Sequence, residues 1–169
     1  MRLGDTFFGM DVLLVAPRLI GTWLCRRDDL NRVVRRRITE VEAYRGEEDS
    51  ACHARAGKTA RTAVMYLTGG HTYVYLCYGI HHLLNIVTGE VNQPQAVLIR
   101  GIESVTGPGR VTKALGITLA DNRIDLCTSD RLWIEDDGHR QEIKTGTRIG
   151  IGYATLEDQA KLWRYWAFS

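Results

Sequence analysis

Apolar residues in this chain recur in short runs bounded by polar and glycine-rich turns, the pattern of strands joined by loops rather than of long helices. Asp11 is placed to cap a helix over Val12 to Ile20, with Gly21 as its stop and Pro17 inside it as a source of a kink. Thr22–Arg27 and Arg32–Tyr44 predict an antiparallel hairpin around the polar turn Asp28-Asp29-Leu30-Asn31. Arg45–Lys58 reads as a loop and Thr59–Leu67 as a short helix. Thr68-Gly69-Gly70 turns into a strand over His71–Tyr78, and His81-His82 predicts the next turn. Leu83–Val87 and Gln95–Ile102 predict apolar strands, and Gly107-Pro108-Gly109 opens a helix over Arg110–Leu115. Asp121–Asp130 is a polar connection before a short strand at Arg131–Glu135 and a turn at Asp136-Asp137-Gly138. A further strand is expected over Thr147–Tyr153. Thr155 with Asp158 starts a helix through Trp163 in the manner of a capping box, and the aromatic ending packs on the core. The expected fold is α+β: a single compact domain over residues 1–169, with a mostly antiparallel curved β-sheet and flanking short helices.

Composition narrows the function classes. The chain has 169 residues, 44% hydrophobic and 25% charged, ordinary for a globular domain that buries roughly two-thirds of its unfolded surface. No apolar run approaches the ~20 residues that span a membrane, and Met1–Leu14 lacks the features of a signal peptide, so a cytoplasmic protein is expected. Cys25, Cys52, Cys77 and Cys127 form no Cys-x-x-Cys pair and read as free thiols. His81-His82 and Cys52-His53 do not have the usual spacing of metal ligands, so neither metal nor cofactor is expected. A net charge of +2 is too small to argue for nucleic acid. Eighteen of the 22 basic residues are arginine, whose planar fork suits phosphate, although a compositional bias gives the same excess.

The chemistry concentrates between Arg35 and Asn85. Strict alternation places Val34, Arg36, Ile38, Glu40, Glu42 and Tyr44 on one face of the second strand. Two carboxylates at i and i+2 raise the pKa of at least one and so make a general base, whereas solvated glutamates on an edge strand would do nothing. Tyr73 and Tyr75 share one face of their strand and Tyr78 the other, a stacking surface rather than an economical core. Arg100, in an apolar run, calls for an acidic partner in Glu42 or Glu40. His53, Arg55, Lys58 and Arg61 make the loop basic. Arg110 and Lys113 accompany the free amides at the start of their helix, where a phosphate could sit. That segment partly resembles a helix-hairpin-helix loop but lacks the apolar helix before it. The four lysines lie in polar contexts, so no Schiff-base amine stands out.

These pieces together resemble the alkyladenine (3-methyladenine) DNA glycosylase family, monofunctional enzymes that remove damaged purines. The resemblance runs from Arg2-Leu3-Gly4 and Phe7-Phe8 to the final aromatics. It rests on Thr39-Glu40-Val41-Glu42-Ala43-Tyr44 with Asp49 and His53, on Tyr73-Val74-Tyr75 with Tyr78-Gly79, on Asn85, on Val97-Leu98-Ile99-Arg100, on Gly107-Pro108-Gly109-Arg110 and on Arg148-Ile149-Gly150-Ile151-Gly152. It implies a fold like the formyltransferase C-terminal domain. It also implies that Glu42 activates the attacking water, with Arg100 and the backbone of Ile151 helping to hold it. Tyr44 on one side and His53 with Tyr75 on the other would sandwich the extruded base, Asn85 would form the pocket floor and exclude undamaged guanine, and Tyr78 would intercalate. Arg55, Lys58, Arg61, Arg110 and Lys113 become candidates for the DNA backbone. The implied partner is double-stranded DNA carrying 3-methyladenine, 7-methylguanine, ethenoadenine or hypoxanthine, met by a monomer.

Two departures bear on the grip on the duplex: His81-His82 where a better-known member has aromatics, and a shorter loop over Gly57–Met65 carrying Lys58. For Tyr78 to intercalate, the strand must turn between Tyr75 and Tyr78, with Gly79 the aid. The competing readings are a noncatalytic nucleic-acid-binding module that uses the tyrosines as a platform, and a glycosidase acting on a small nucleoside.

Overall fold

A thirteen-residue strand, Val33–Arg45, runs through the middle of the molecule, and the other elements are arranged about it. The computed structural model describes residues 1–168. In chain order these form α1 (Asp5–Phe8), α2 (Val12–Leu19), β1 (Trp23–Arg27), β2 (Val33–Arg45), β3 (Thr72–Cys77), β4 (His81–Thr88), β5 (Gln95–Ile102), β6 (Val105–Thr106), α3 (Pro108–Leu115), β7 (Leu132–Glu135), β8 (Ile143–Gly146), α4 (Leu156–Ala160) and β9 (Arg164–Ala167). The sheet runs β3-β4-β5-β2-β1-β7, with every pairing antiparallel. The first half of β2 pairs with β1, and further along β9 takes the same edge and pairs in turn with β8. The sheet is curled and the helices are short, so the α+β expectation holds.

Local chemistry accounts for the turns. The Asp28 carboxylate accepts from the amides of Leu30 and Arg32, both at 2.9 Å, and Asn31 takes the left-handed φ of 62° that closes the β1–β2 hairpin. Asp11 caps α2 as expected, accepting from the Leu13 amide at 2.9 Å, and the helix continues through Pro17 to Leu19. α2 packs on β2 and β5, and α3 on β4 and β5, so that Val12, Val15 and Leu19 share one core with Ile38, Val41, Ile99, Ile102, Val111 and Leu115. Over residues 45–67 the chain folds onto the strands and builds a second cluster: Cys52, Ala54, Val64, Met65 and Tyr66 pack with Tyr73, Val87 and Ala96.

Several expected elements are corrected. β2 does not alternate throughout: its register against β5 shifts between Ile38 and Glu40 and back between Glu40 and Val41, so Ile38, Val41 and Ala43 all enter the core. Ile38 therefore does not share a face with Glu40, Glu42 and Tyr44. Gly101 permits the irregularity, because a Cβ there would stand 2.9 Å from Thr39 Oγ1 and 3.1 Å from Glu40 Cβ. The helix expected over Thr59–Leu67 is only a 3-10 turn at Ala63–Tyr66. His81-His82 begin β4 instead of forming the turn, which lies one step earlier over Tyr78, Gly79 and Ile80. Residues 147–153 are a loop and not a strand; the extended segment is β8, and Gly150 at φ 74° ends any continuation. α4 stops at Ala160, and the aromatic ending becomes β9. At its start Thr155 Oγ1 accepts from the Asp158 amide, but the Asp158 carboxylate serves Ser50 and Lys161, so the reciprocal half of the capping box is absent.

The loop at 147–153 is fixed by an ion pair buried on both sides. Arg148 donates to Asp49 at 2.6 and 3.0 Å, and to the carbonyls of Ala43 and Asp158 at 3.0 and 3.2 Å. Its guanidinium lies 5.0 Å from the Tyr44 ring centre and 4.9 Å from that of Trp163. Removing one partner of such a pair leaves an uncompensated buried charge, which costs about 3–5 kcal/mol. Arg148→Met is therefore expected to lower the urea-unfolding free energy by about that amount, and combining it with Asp49→Leu should cost less than the sum of the single changes; additive losses would show that the pair is not the link.

Candidate active site

The β2 irregularity and the two tethered loops together bury a carboxylate. Glu42 has no solvent exposure, and its oxygens are shared between two donors: the Tyr44 hydroxyl donates to Oε1 at 2.9 Å, and the Ile149 amide donates to Oε2 at 2.6 Å. Arg100 Nη1 stands 3.7 Å from Oε1, so the expected acidic partner of Arg100 is present. Glu42 is held above the ordinary glutamate range chiefly by desolvation. Arg100, the Ile149 amide and the Tyr44 hydroxyl pull it down, and Glu40 adds a minor upward push. The raised pKa expected from paired carboxylates thus has a different main cause: burial, with like-charge repulsion last.

On the far side of Tyr44 a cavity of about 40 Å³ is lined by Tyr44, His53, Tyr73, Tyr75, Asn85 and Tyr153, with apolar side chains between them. His53 and Tyr75 rings lie 4.5 Å apart, and His53 Nδ1 is 2.9 Å from the Tyr73 hydroxyl. Asn85 is 5% exposed and donates to the Tyr73 carbonyl at 3.2 Å, which fixes it in the cavity wall. The cavity opens past Tyr44, His53, Tyr75 and Tyr153 into a cleft of about 820 Å³. Arg100, Ile149, Ile151, Tyr78, His81, Arg61 and the Gly107-Pro108-Gly109-Arg110 segment line that cleft.

Tyr78 is the most exposed tyrosine at the rim, 91% accessible, and its φ of 52° with Gly79 at 66° ends the strand as the turn requires. The basic candidates separate. Arg61, stacked 4.9 Å over Tyr75, and Arg110 border the cleft, and Arg55 stacks 4.8 Å over Tyr153. Lys58 lies over Tyr66 at 5.6 Å, and Lys113 sits in the last turn of α3; neither lines the cleft. Among the described residues no group of three or more His, Cys, Asp and Glu is placed to hold a metal ion.

The family profile described as methylpurine-DNA glycosylase (MPG) matches residues 6–106 and 103–169. A Borreliella afzelii protein named as a 3-methyladenine DNA glycosylase is 44% identical, with 95% of this chain and 92% of its own length covered. An Arabidopsis thaliana protein named DNA-3-methyladenine glycosylase is 43% identical over 94% of this chain and 68% of its own. A Nitrosococcus oceani relative, named like the first, is 42% identical over 96% and 88%.

The chain belongs to the methylpurine-DNA glycosylase family.

In this glycosylase-family chain the structure brings Tyr44, His53, Tyr75, Asn85, Arg100 and Ile151 to one cavity and its mouth, with Glu42 buried behind Tyr44 and Arg100. Sequence reasoning missed Ile149 and Tyr153. The amide of Ile149 meets Glu42, and the Gly-flanked run was the only signal that backbone approaches there. Tyr153 had no signal, since its hydroxyl is placed by a bond to the Ala51 carbonyl 102 positions away.

His53 is pushed down to about 4, first by desolvation and then by Arg61 and Arg55. A lowered imidazole pKa means the neutral ring persists until the pH falls below that value. NMR of the His53 ring nitrogens should accordingly show no protonation above about pH 5, and Arg61→Ala should raise the midpoint. A wild-type midpoint near 6.5 would contradict the burial argument.

Proposed function

We propose that the chain is a monofunctional DNA glycosylase that rotates a damaged purine out of duplex DNA and hydrolyses its N-glycosidic bond with water activated by Glu42. Its family is that of the methylpurine-DNA glycosylases, hydrolases of N-glycosyl bonds acting on alkylated purines in DNA repair, and damaged DNA is accordingly its substrate. The observation that carries the finer reading is the setting of Glu42: a wholly buried carboxylate bonded to Tyr44, which lines both the aromatic cavity and the open, arginine-bordered cleft, and to the amide of Ile149, which lines the cleft.

The chemistry follows from that placement. A purine stacked in duplex DNA is out of reach of a recessed carboxylate, so the nucleotide must turn by about 180° into the cavity. Tyr44, Tyr75 and neutral His53 offer aromatic faces to it, and Tyr78 is exposed where it can fill the vacated stack. As the C1′–N bond breaks, its electron pair leaves with the base and positive charge builds on the sugar, which the Glu42 carboxylate stabilises. The water oxygen bonds to C1′ and its proton passes to Glu42, leaving a free base and an abasic sugar. A cationic alkylated purine departs as a neutral base without an added proton. It is also favoured between aromatic rings by about 0.5–2 kcal/mol, an attraction that a charged His53 would oppose. Asn85 in the cavity wall is positioned to meet the edge of the base, the role that discriminates against normal guanine. Arg61 and Arg110 border the route of the backbone. All these groups come from one chain, so a monomer suffices. No helix of the described residues is long and apolar enough to cross a membrane.

Glu42→Gln is expected to slow release of 3-methyladenine from duplex DNA by about 10²–10⁴-fold while lesion binding is retained. Retained excision would overturn the assignment, and wild-type binding without release of any alkylated or deaminated purine would favour a noncatalytic module. Because the base form of Glu42 is active and burial favours its acid form, the rate should fall on acidification through a midpoint above the ordinary ~4.3 of glutamate; a limb at or below that value would exclude Glu42 as the base. Tyr78→Ala should weaken duplex-dependent excision by about 10–100-fold, the loss of roughly 1–3 kcal/mol of stacking. Excision indifferent to both the duplex and Tyr78 would instead point to a nucleoside hydrolase.

A further inference from the structure

Arg100 is shared between two carboxylates and closes on neither. Its Nη1 lies 3.7 Å from Glu42 Oε1 and its Nε 3.8 Å from Glu40 Oε2, both beyond hydrogen-bond length, and Nε is buried without a partner. A guanidinium beside an unengaged carboxylate would ordinarily close into a bidentate pair, since charge-assisted hydrogen bonds are the stronger kind. Glu42 has both oxygens engaged, by Tyr44 and by the Ile149 amide. Glu40 is the competitor, and it is occupied from the other side: Arg164 Nη1 donates to Glu40 Oε2 at 2.9 Å.

Arg164 is itself held in a built cradle. It stands opposite Glu42 in the β2–β9 register, with Trp166 opposite Glu40. Its Nε donates to the Thr147 carbonyl at 2.8 Å, and its guanidinium lies 4.2 Å from the Trp166 ring centre. Gly146, its register partner on β8, leaves room for this stack: a Cβ there would fall 2.9 Å from the Trp166 ring and 3.4 Å from Arg164 Nη2. The result is an alternating row of side chains, Glu42, Arg100, Glu40 and Arg164, drawn from β2, β5 and β9.

We propose that Arg164 is a positioning residue for the hydrolytic step, which by engaging Glu40 keeps Arg100 from closing on it and so holds the Arg100 guanidinium between Glu42 and the cleft. Arg164 itself does not line the cavity or the cleft. The inference rests on Glu42 being the base, but the arrangement it describes has a readout of its own. The charged and titratable groups facing Glu42 are Tyr44 and Glu40 on its own strand, Arg100 on β5, Arg164 opposite it on β9 and, one layer behind, Arg148 of the 147–153 loop.

Without Arg164, Glu40 draws Arg100 away, and Glu42 loses the opposite charge that favours its ionised form. The test combines ¹³C NMR titration of the Glu42 carboxyl with single-turnover release of 3-methyladenine across pH, for wild type, Arg164→Leu, Arg164→Lys, Glu40→Gln and the Arg164→Leu/Glu40→Gln pair. Arg164→Leu should raise the Glu42 midpoint, move the acid limb to higher pH and slow cleavage about tenfold, within the range of coupling between adjacent charged residues, with lesion-duplex affinity unchanged. Arg164→Lys should stay near wild type. The double variant should recover to within about threefold of wild type, because the competitor is gone.

An unmoved Glu42 midpoint in Arg164→Leu, or a double variant as slow as the product of its single changes, would overturn the proposal and leave Arg164 a strand-packing residue. If Arg164→Leu does not fold, Arg164→Gln takes its place: a Glu42 midpoint that it raises in the wild-type background and leaves unmoved beside Glu40→Gln supports the competition, and an equal shift in both backgrounds refutes it. Absence of base release by wild type would count against the Glu42 reading, while the NMR titration would still judge the role of Arg164.

Discussion

An ionised carboxylate withdrawn from water costs several kcal/mol unless the protein replaces its hydration, and this is the constraint that Glu42 places on the fold. Each hydrogen bond to a charged group returns about 1.5–3 kcal/mol, so the Tyr44 hydroxyl and the Ile149 amide offset much of the loss and not all of it. Glu42 consequently remains above its ordinary range although two donors and a nearby arginine oppose the shift. That residue of unfavourable solvation favours the protonated form and so makes the carboxylate a stronger base than an exposed glutamate. The donors come from β2 and from the 147–153 loop, and Arg100 from β5, so the site exists only after segments distant in the chain have met.

The sheet separates stability from chemistry. One side of β2, β4 and β5 carries the main core with α2 and α3, and the chain from 45 to 67 covers further strand surface with a smaller cluster that includes the cavity wall. The irregularity between Ile38 and Val41 is the switch between these roles, since it lets Ile38 join Val41 and Ala43 in the core while Glu40, Glu42 and Tyr44 remain together on the other side. The Arg148–Asp49 pair then joins the loop that presents Ile149 to the loop that carries His53, and its guanidinium backs the Tyr44 ring. A defect in that pair would reach both the base and one wall of the cavity without either being touched.

Much of the site was legible because its residue types are unusual for their surroundings. Two glutamates within an apolar run, three tyrosines where a core would use Phe or Val, and an arginine ending Val97-Leu98-Ile99 each conflict with simple burial. Where side-chain type and short-range turn chemistry decide, the reading held: the Asp11 cap, the β1–β2 hairpin, and the left-handed Tyr78-Gly79 turn that exposes Tyr78. It failed where a long-range contact overrides local preference. Thr147–Tyr153 has a strand-like composition, yet Arg148 is drawn into Asp49 and the segment loops, with the amide of Ile149 turned onto Glu42. His81-His82 look like turn residues, yet the cross-strand pairs Cys77 to His81 and Leu76 to His82 extend β4 back to them.

By itself the sequence determined which chemistry is available: a pair of carboxylates, an arginine to partner them, aromatics able to stack, a turn at Gly79, and no Cys pattern that would change the class. Those follow from side-chain identity and from period-two alternation, both local properties. Tertiary structure alone decided which of the two glutamates is buried, which amide completes it, and that Arg100 stands between them. It also decided that Arg164, unremarkable in its own stretch of chain, comes to hold Glu40. Burial and charge pairing depend on what lies across the sheet, and for Glu42 the facing residues come from β5, β9 and the 147–153 loop, with Ile149 107 positions along the chain and Arg164 farther still.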